Sequence, residues 1–275
     1  MKSGNGLNPP FILCIAIILL GSMMIPLVST GINNVAIALS NTSIVLVNCN
    51  ENTLYVGGTG PDNYTKIQDA IDDAHAGDII FVYSDSSPYY ENLVIDKPLN
   101  LLGENRETTI IDGLSKETVV RIVVGNVTVQ NFTITNAERG VLVKKNISTS
   151  EINHVIITEN IVIDNALEGI ALWHCEYSAV YENHVQNNRW GISLYGCHFT
   201  IVTRNNLIDN INFPYKENMH IYYWSDFYLF FTNVLSGNYW DNWIGILPKP
   251  ILASFYPVYP LIQFDWHPLA KPYEW

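Results

Sequence analysis

Apolar and polar residues alternate in short phrases through the second half of the chain, and asparagines punctuate these phrases at a fixed offset. The asparagines come in pairs five residues apart, and the first member of each pair returns after 22 to 29 residues. These pairs are Asn131/Asn136, Asn160/Asn165, Asn183/Asn188, Asn205/Asn210 and Asn233/Asn238. A unit of about 22 residues is too short to bury its own apolar face, so neighbouring units must stack.

The phrases between the asparagine pairs read as strands. Each begins with a turn glycine and continues with alternating residues, as in Gly140-Val-Leu-Val, Gly169-Ile-Ala-Leu and Gly191-Ile-Ser-Leu. Strands and turns repeated at this length predict an all-β solenoid, the single-stranded parallel β-helix. Asparagine tolerates the left-handed backbone of tight corners, and stacked side chains can bond between coils about 4.8 Å apart. We therefore interpret the pairs as asparagine ladders at the coil corners, with a binding role as the alternative.

A single β-helix domain is expected over residues 39–275, with both ends covered. Thr65-Lys-Ile-Gln68 forms a capping box, and an apolar stripe over residues 64–77 predicts a helix that closes the N-terminal end. After Asn210 the composition shifts to tryptophan, tyrosine and proline. Residues 211–275 are predicted to form an aromatic C-terminal cap, the alternative being a platform for sugar rings.

Residues 1–38 have the character of a signal peptide or an N-terminal anchor. Phe11–Leu20 is a short apolar run, and Ala36-Ile-Ala38 and Val28-Ser-Thr30 are competing cleavage sites. The longer run Phe11–Val28 is nearly enough to span a bilayer, which keeps the anchor as the alternative. The segment predicts an exported protein, extracellular or on the cell surface, that meets a membrane only through this segment if it is uncleaved.

The charge balance limits the partners. The 275 residues carry a formal net charge of −12, which disfavours nucleic acid and anionic membrane surfaces. Only 15% of the residues are charged, which is typical of a mildly acidic extracellular surface. A polysaccharide or another cell-envelope component is the expected partner.

Two of the four cysteines share a position in the repeat. Cys175 and Cys197 each lie six residues after a coil glycine, so they are expected to be neighbours on adjacent coils. Strand spacing falls inside the Cα separation of a disulfide, about 4.4–6.8 Å. A disulfide and a buried stack of two thiols therefore both stay open.

Alignment on the first asparagine of each pair brings acids, imidazoles and aromatic rings to matching phases. Seven residues before that asparagine stand Asn153, Glu176, His198 and Asp226, and ten residues before it stand Trp173, Tyr195 and Tyr223. Aromatic faces can stack on sugar rings while carboxylates bond the hydroxyls. We predict a ligand site formed by Glu176, His198, Asp226, Trp173 and Tyr195, with a solvated polar edge as the alternative. No cofactor is expected, unless a divalent metal binds His174, Glu176 and His198.

The chain also resembles a known family. The segments Tyr64–Asp78, Tyr90–Gly103 and Thr109–Gly113 are similar to the opening of pectin-lyase-like right-handed β-helices, and most similar to the NosD-like periplasmic and cell-surface group. Ser236–Asp241 and Asp265–Leu269 resemble that group's closing motifs. The resemblance covers roughly residues 50–270 and implies a right-handed parallel β-helix. A role in copper-site assembly is implied by this resemblance alone.

The catalytic phrases of pectin-lyase-like enzymes are missing. The Gln-Asp-Thr-Leu segment of the methylesterases, the Asn-Thr-Asp, Asp-Asp and Gly-His-Gly set of the polygalacturonases, and the Trp-x-Asp-His and Arg-x-Pro-x-x-Arg phrases of the lyases do not occur. No catalytic residue is therefore assigned. The leading interpretation is a non-catalytic carbohydrate-binding or surface module. A polysaccharide lyase or hydrolase, and a NosD-like accessory factor in copper-site assembly, are the alternatives.

Overall fold

A computed structural model describes residues 52–144, 152–210, 218–223, 233–243, 247–255 and 259–274, together with four short strands nearer the N-terminus. The chain forms two compact units, residues 1–51 and 52–275. The first unit contains two antiparallel pairs, β1 (Leu19–Leu20) with β2 (Met23–Met24) and β3 (Val35–Ser40) with β4 (Ser43–Asn48). Within the described part of the chain, no helix has the length and apolarity needed to cross a bilayer.

The second unit is a stack of short strands with one short helix, α1 (Ile67–Asp73). Its strands, in chain order, are β5 (Thr53–Val56), β6 (Ile79–Val82), β7 (Tyr89–Tyr90), β8 (Leu93–Ile95), β9 (Asn100–Gly103), β10 (Ile110–Ile122), β11 (Val127–Gln130), β12 (Thr133–Val143), β13 (Ile152–Asn153), β14 (Val155–Thr158), β15 (Ile161–Ile163), β16 (Glu168–Trp173), β17 (Cys175–Glu176), β18 (Ala179–Tyr181), β19 (His184–Gln186), β20 (Trp190–Tyr195), β21 (Ile201–Thr203), β22 (Asn206–Ile208), β23 (Met219–Tyr223), β24 (Val234–Ser236), β25 (Tyr239–Trp240), β26 (Lys249–Phe255) and β27 (Tyr259–Asp265).

Strands one coil apart pair in parallel and form long sheets along the solenoid. One sheet has eight strands in the order β24-β21-β18-β14-β11-β9-β6-β5, and another has thirteen. A short third sheet, β13 with β17, lies between them in the chain path. Among the described residues of this unit, only β26 and β27 pair antiparallel, as a closing hairpin. The predicted single-stranded right-handed parallel β-helix is confirmed as the fold.

Aliphatic side chains fill the interior in columns that run from coil to coil. Val129, Ile157, Val180, Val202 and Leu235 are in register on the eight-stranded sheet, and all are buried. Each such side chain contributes about 1.5–3 kcal/mol through burial. The interior is thus a continuous core that no single coil could form alone.

The asparagine ladders are present and run in one direction. In the first, Asn160 donates from Nδ2 to Asn183 Oδ1, Asn183 to Asn205, and Asn205 to Asn238, at 2.9–3.1 Å. A second ladder runs in the same way through Asn165, Asn188, Asn210 and Asn218. In each of these rungs the oxygen accepts from the preceding coil while the amide nitrogen donates to the following one.

Each ladder ends on an aspartate. Asp265, which is fully buried, accepts from both the backbone nitrogen and Nδ2 of Asn238 and from Trp240 Nε1. Asp241 accepts from Asn218 Nδ2 at 2.7 Å. The last asparagine of each ladder accepts from the preceding coil, but no further asparagine accepts from its own amide nitrogen. An aspartate, whose carboxylate only accepts hydrogen bonds, completes the ladder. This is the structural role of the two closing motifs seen in the sequence.

Three of the predicted rungs are wrong. Phe132 and Ala137, rather than Asn131 and Asn136, occupy the ladder positions of their coil, because their backbone nitrogens donate to Asn160 and Asn165. Asn233 accepts from the backbone of Thr200 and so belongs to another column. Asn238 is a rung, but it continues the first ladder from Asn205, not the predicted second ladder from Asn210.

The left-handed corners also belong to other residues than predicted. They are taken by the residue before each rung, such as Glu182 at φ 59° and Asn187 at φ 55°, while the rungs Asn183 and Asn188 are not left-handed. Asn131 and Asn136 are themselves such corner residues, at φ 64° and 60°. The repeat therefore places a corner and a rung side by side, and asparagine occurs at both.

The capping helix is present, but its predicted capping box is wrong. The residue at the N-cap is Lys66, which makes no side-chain capping bond. The carboxylate of Glu91, from the following coil, instead accepts from the backbone nitrogens of Ile67 and Gln68 at 2.8 and 2.9 Å. The exposed N–H groups of a helix start need an acceptor, and tertiary structure supplies it here. The predicted aromatic cap over 211–275 stays a prediction, since much of it lies outside the described residues.

Replacing Asn183 by leucine should lower the free energy of unfolding by about 1–3 kcal/mol, because the buried donors of Asn160 on the preceding coil lose their acceptor and Asn205 Oδ1 on the following coil loses a donor. Asn100→Leu is the matched control. Asn100 is half-buried on a sheet, and its side chain makes no hydrogen bond to the described residues, so its replacement should cost less than about 0.5 kcal/mol. Equal denaturant midpoints for the two variants would contradict the ladder.

Asp265→Asn tests the end of the first ladder. Oδ2 accepts from Asn238 and Trp240, and Oδ1 accepts from the backbone nitrogens of Gly237 and His267. The amide nitrogen of asparagine would therefore face donors in either orientation, and a loss of about 1–3 kcal/mol is expected. Asp164→Asn is the control, because Asp164 is exposed at a left-handed corner that asparagine also tolerates. A thermal melt of Asp265→Asn that coincides with the wild-type melt would show that the carboxylate is not required.

Candidate functional site

The polar column predicted from the repeat forms along the short third sheet. Asn153 pairs with Glu176, and Glu176 with His198, on three successive coils. Asn153 and Glu176 are half-buried, whereas His198 is only 5% exposed. Asp226 was assigned to this column because it lies seven residues before Asn233, and Asn233 is not a rung of the ladder. Asp226 itself lies outside the described residues.

An aromatic row lies on the neighbouring thirteen-stranded sheet. Trp173 is in register with Tyr195, and Tyr195 with Tyr222, and we call these three residues the aromatic row. Their ring centroids are 5.2 and 6.2 Å apart, and the ring planes are inclined by 62° and 47°. The third member was predicted as Tyr223. It is Tyr222, because the fixed count back from the asparagine fails in a coil of 33 residues between Asn205 and Asn238, against 22 between Asn183 and Asn205.

A corner at His174 separates the aromatic row from the polar column. His174 has φ 53°, so the chain turns between Trp173 on the large sheet and Glu176 on the short one. The predicted ligand residues therefore lie on two adjoining surfaces. One coil later the corner residue is Gly196, at φ 60°. A Cβ atom there would lie 3.0 Å from His174 Nδ1, so glycine leaves room for the imidazole.

A pocket opens along the aromatic row. Its volume is about 370 Å³, and it is lined by Trp173, His174, Tyr195, Gly196 and Tyr222. At the end of the row, the Lys144 ammonium lies 4.0 Å from the centre of the Trp173 ring, within the range of a cation–π contact. Because the rings are inclined to one another, they do not cover each other's faces fully. Such an aromatic pocket with few polar groups is typical of small-ligand and sugar sites.

A second row of rings, not predicted from the sequence, lies on the other side of the polar column. His154, Tyr177 and Phe199 stack with centroids 5.9 and 5.0 Å apart and planes inclined by only 18° and 4°. Tyr177 and Phe199 are 52% and 39% exposed. Parallel stacking makes each ring cover the face of the next, so this row presents mainly ring edges to solvent. This second row could have been predicted from the sequence, since each ring directly follows a residue of the polar column.

A buried ion pair borders the aromatic row. Glu168, 3% exposed, places Oε2 2.9 Å from Arg139 Nε, in the geometry of an ion pair rather than of an aligned hydrogen bond. Its other oxygen, Oε1, accepts a long hydrogen bond of 3.4 Å from the Tyr195 hydroxyl. Burial raises the pKa of Tyr195, and the Glu168 carboxylate raises it further. The phenol therefore stays protonated at ordinary pH.

A larger cleft, of about 540 Å³, is lined by acidic and polar side chains, namely Glu104, Asn105, Arg106, Glu107, Asn131, Glu159 and Glu182. Its carboxylates are already engaged. Ser84 lowers the pKa of Glu104, and Arg106 lowers the pKa of Glu107. Glu182 lies 2.7 Å from Arg204. Acid catalysis of glycoside cleavage needs a carboxyl group with a raised pKa, which is the opposite of the shifts of Glu104 and Glu107.

The two cysteines are neighbours on adjacent coils, as predicted. The backbone nitrogen of His198 donates to the Cys175 carbonyl at 3.0 Å, which fixes the register, and neither sulfur is part of a disulfide. Both side chains are buried, and Cys197 Sγ lies 3.2 Å from the Leu172 carbonyl oxygen. Of the two open alternatives, the structure contains the buried thiol stack.

These features define the class of the protein: an asparagine-laddered parallel β-helix whose coils carry an aromatic pocket beside a polar edge. The chain belongs to the family described as periplasmic copper-binding protein (NosD), which it matches over residues 28–245. No curated protein matches the chain.

Solved structures with a similar chain path include an alginate lyase and two pectin methylesterases. An alginate lyase from Paenibacillus sp. str. FPU-7 shares 12% identity at a TM-score of 0.48, covering 74% of this chain and 95% of its own. The pectin methylesterase PemA from Erwinia chrysanthemi shares 10% identity at a TM-score of 0.41, with coverages of 82% and 91%. A pectin methylesterase from Aspergillus niger shares 14% identity at a TM-score of 0.38, with coverages of 74% and 83%. Identities this low carry no activity over to this chain.

The family description implies copper, and the described residues do not fit a copper site. Copper ions prefer thiolate, thioether and imidazole ligands. In the described ranges no group of three or more His, Cys, Asp or Glu side chains is placed to hold a metal ion. Met219 is buried in the core with the two cysteines.

Thiol labelling can test whether the two cysteines are buried and reduced. Cys175 and Cys197 should resist alkylation in the native protein, because their sulfurs are inaccessible to reagent. Both should react after unfolding without reductant, with the labelled peptides located by mass spectrometry. Labelling of neither cysteine in the unfolded, unreduced chain would mean that the pair is oxidised.

Proposed function

We propose that this protein is an exported β-helix module that binds polysaccharide without cleaving it, through the pocket along the aromatic row. The observation that carries the proposal is the inclination of the three rings, which leaves parts of their faces open along a pocket of about 370 Å³. Sugar rings present apolar C–H faces that pack on aromatic faces, and hydroxyls that bond polar groups beside them. A family described as periplasmic supports the exported location.

The surroundings of the pocket supply the polar partners. His174 contributes an imidazole to the lining, and Lys144 stands at the end of the row. Glu176, across the corner, is half-buried and offers a carboxylate to hydroxyls that reach beyond the pocket. His198 is mostly covered and is a weaker candidate for contact. In this proposal the pocket binds one or two sugars, and the polar edge bonds the parts of the chain that extend from it.

Binding is favoured over cleavage by the state of the acidic groups. The pocket lining contains no carboxyl group, and Glu168, which accepts from the Tyr195 hydroxyl, is paired with Arg139. Glycoside hydrolysis needs two carboxyl groups flanking the scissile bond. Tyr195 has a raised pKa, which makes it a poor base at neutral pH. The lyase and hydrolase alternatives therefore have less support than binding.

A glycan array probed with the purified protein tests the proposal. Trp173→Ala should weaken binding at least about tenfold, because a few aromatic residues carry most of the energy of such a site. Tyr177→Ala is the matched control, since Tyr177 is an exposed ring in the parallel row, whose faces are covered by stacking. The control should bind like the wild type.

Three outcomes would overturn the proposal. Equal losses in the Trp173→Ala and Tyr177→Ala variants would remove the aromatic row as the site. Release of reducing ends or unsaturated products from a bound glycan would make the protein an enzyme. Tight copper binding without glycan binding would favour the copper-assembly alternative instead.

A further inference from the structure

We propose that Glu168 and Arg139 are positioning residues for the aromatic row, and that together they hold the ring of Tyr195 in the orientation that keeps the pocket open. Neither residue lines the pocket. Their influence on binding rests on the proposed function, whereas their hold on the Tyr195 ring does not. The two parts are therefore tested by different measurements.

The contacts of Glu168 divide its two oxygens between two partners. Oε2 pairs with Arg139 at 2.9 Å, and Oε1 accepts from the Tyr195 hydroxyl at 3.4 Å. A carboxylate that is 3% exposed would be costly to bury without a compensating charge. Arg139 supplies this charge, and its own side chain is mostly covered, at 18% exposed. The ion pair between Glu168 and Arg139 therefore holds both side chains in place without any contribution from Tyr195.

The repeat explains why these residues meet. Arg139 and Glu168 each precede a glycine on successive coils, and these glycines, predicted at turns, lie within strands: Gly140 in β12 and Gly169 in β16. A Cβ atom on Gly140 would lie 2.6 Å from the Gly169 carbonyl oxygen, so the two backbones approach too closely for any larger residue. This approach brings the preceding side chains together. Tyr195 lies on the next coil, in β20, which pairs directly with the strand of Glu168.

Tyr195 is the middle member of the aromatic row, so its ring contacts both neighbours. Its centroid lies 5.2 Å from that of Trp173 and 6.2 Å from that of Tyr222. A ring tethered only by packing can tilt toward either neighbour and close the space between them. A hydrogen bond from its hydroxyl to a fixed carboxylate restricts that tilt. Because the phenol stays protonated, it keeps donating to Glu168 over the ordinary pH range.

The first test needs no ligand. In protein carrying isotope-labelled tyrosine, with the Tyr195 signals assigned from Tyr195→Phe, NMR reports the ionisation and the ring-flip rate of this residue. Glu168→Gln should lower the pKa of Tyr195, because the charge that raises it is removed, and should speed the ring flip. The signals of Tyr177, in the parallel row, should not move. An unchanged pKa and flip rate of Tyr195 would overturn the proposal.

A second variant protects the test against loss of folding. The double substitution Glu168→Leu with Arg139→Met replaces the ion pair by apolar groups, a change that is often tolerated in protein interiors. It should lower the pKa of Tyr195 in the same direction as Glu168→Gln but by less, because it also removes the Arg139 charge, which lowers that pKa. Opposite shifts in the two variants would show that the pair does not act on Tyr195 through the carboxylate.

The binding consequence is read on the glycan array. Glu168→Gln should bind the array glycans about two- to tenfold more weakly, the loss expected for one hydrogen bond. Tyr195→Phe, which keeps the ring and removes the hydroxyl, should show a similar loss, while Tyr177→Phe should not. If no glycan binds the wild type, the proposed function fails, yet the NMR result still decides whether the pair positions Tyr195. If glycans bind and Glu168→Gln binds equally well, the link from the pair to the pocket is wrong.

Discussion

The one-directional hydrogen bond between stacked asparagine amides is the interaction on which the rest of this structure depends. Asn183 shows the principle: Oδ1 accepts from the backbone and side chain of Asn160, while Nδ2 donates to Asn205 and to the carbonyls of Ile157 and Tyr181. All these groups are buried, and a slip of one residue would leave several of them unpaired at about 1–3 kcal/mol each. The ladders therefore fix the register of every coil that they join.

The register between coils determines which side chains are neighbours on the surface. Once Asn183 lies over Asn205, residues at the same phase of the two coils must be neighbours. Trp173 then meets Tyr195, Asn153 meets Glu176, and Glu168 comes within reach of a tyrosine on the next coil. The pocket along the aromatic row is thus a consequence of the core polar network, although none of its residues belongs to that network. A polar interior specifies the surface here more than the aliphatic core does, because aliphatic contacts tolerate small slips.

The sequence predicted the solenoid, the ladders, the cysteine neighbours and most of the aromatic row, because all of these follow from a repeat that can be counted. It misplaced Asn131 and Asn136, because asparagine suits two adjacent positions, the left-handed corner and the buried rung, for different physical reasons. It misplaced Asn233, because that asparagine accepts from Thr200 in another column. The counts that gave Tyr223 and Asp226 started from Asn233, in a coil that is 33 residues long between Asn205 and Asn238 instead of 22, so a fixed offset fails there.

Other features of the structure could not be predicted from the spacing of residues in the sequence. The carboxylate of Glu91 that caps the helix comes from the next coil. The contact of Glu168 with Arg139 and Tyr195 joins three coils. Whether rings stack in parallel, as Tyr177 and Phe199 do, or are inclined, as Trp173 and Tyr195 are, depends on side-chain rotation. This last difference separates a row that covers its own faces from one that offers them to a ligand, and no spacing in the sequence encodes it.

The central claim is that a ladder-fixed aromatic row is the ligand-binding surface, and the indole N–H signals of the seven tryptophans test it directly. Titration of a polysaccharide that the protein retains should shift the Nε1–H resonance of Trp173. The resonance of Trp240, which is buried and bonded to Asp265, should stay in place as an internal reference. A titration in which Trp173 does not move while another tryptophan does would contradict the account.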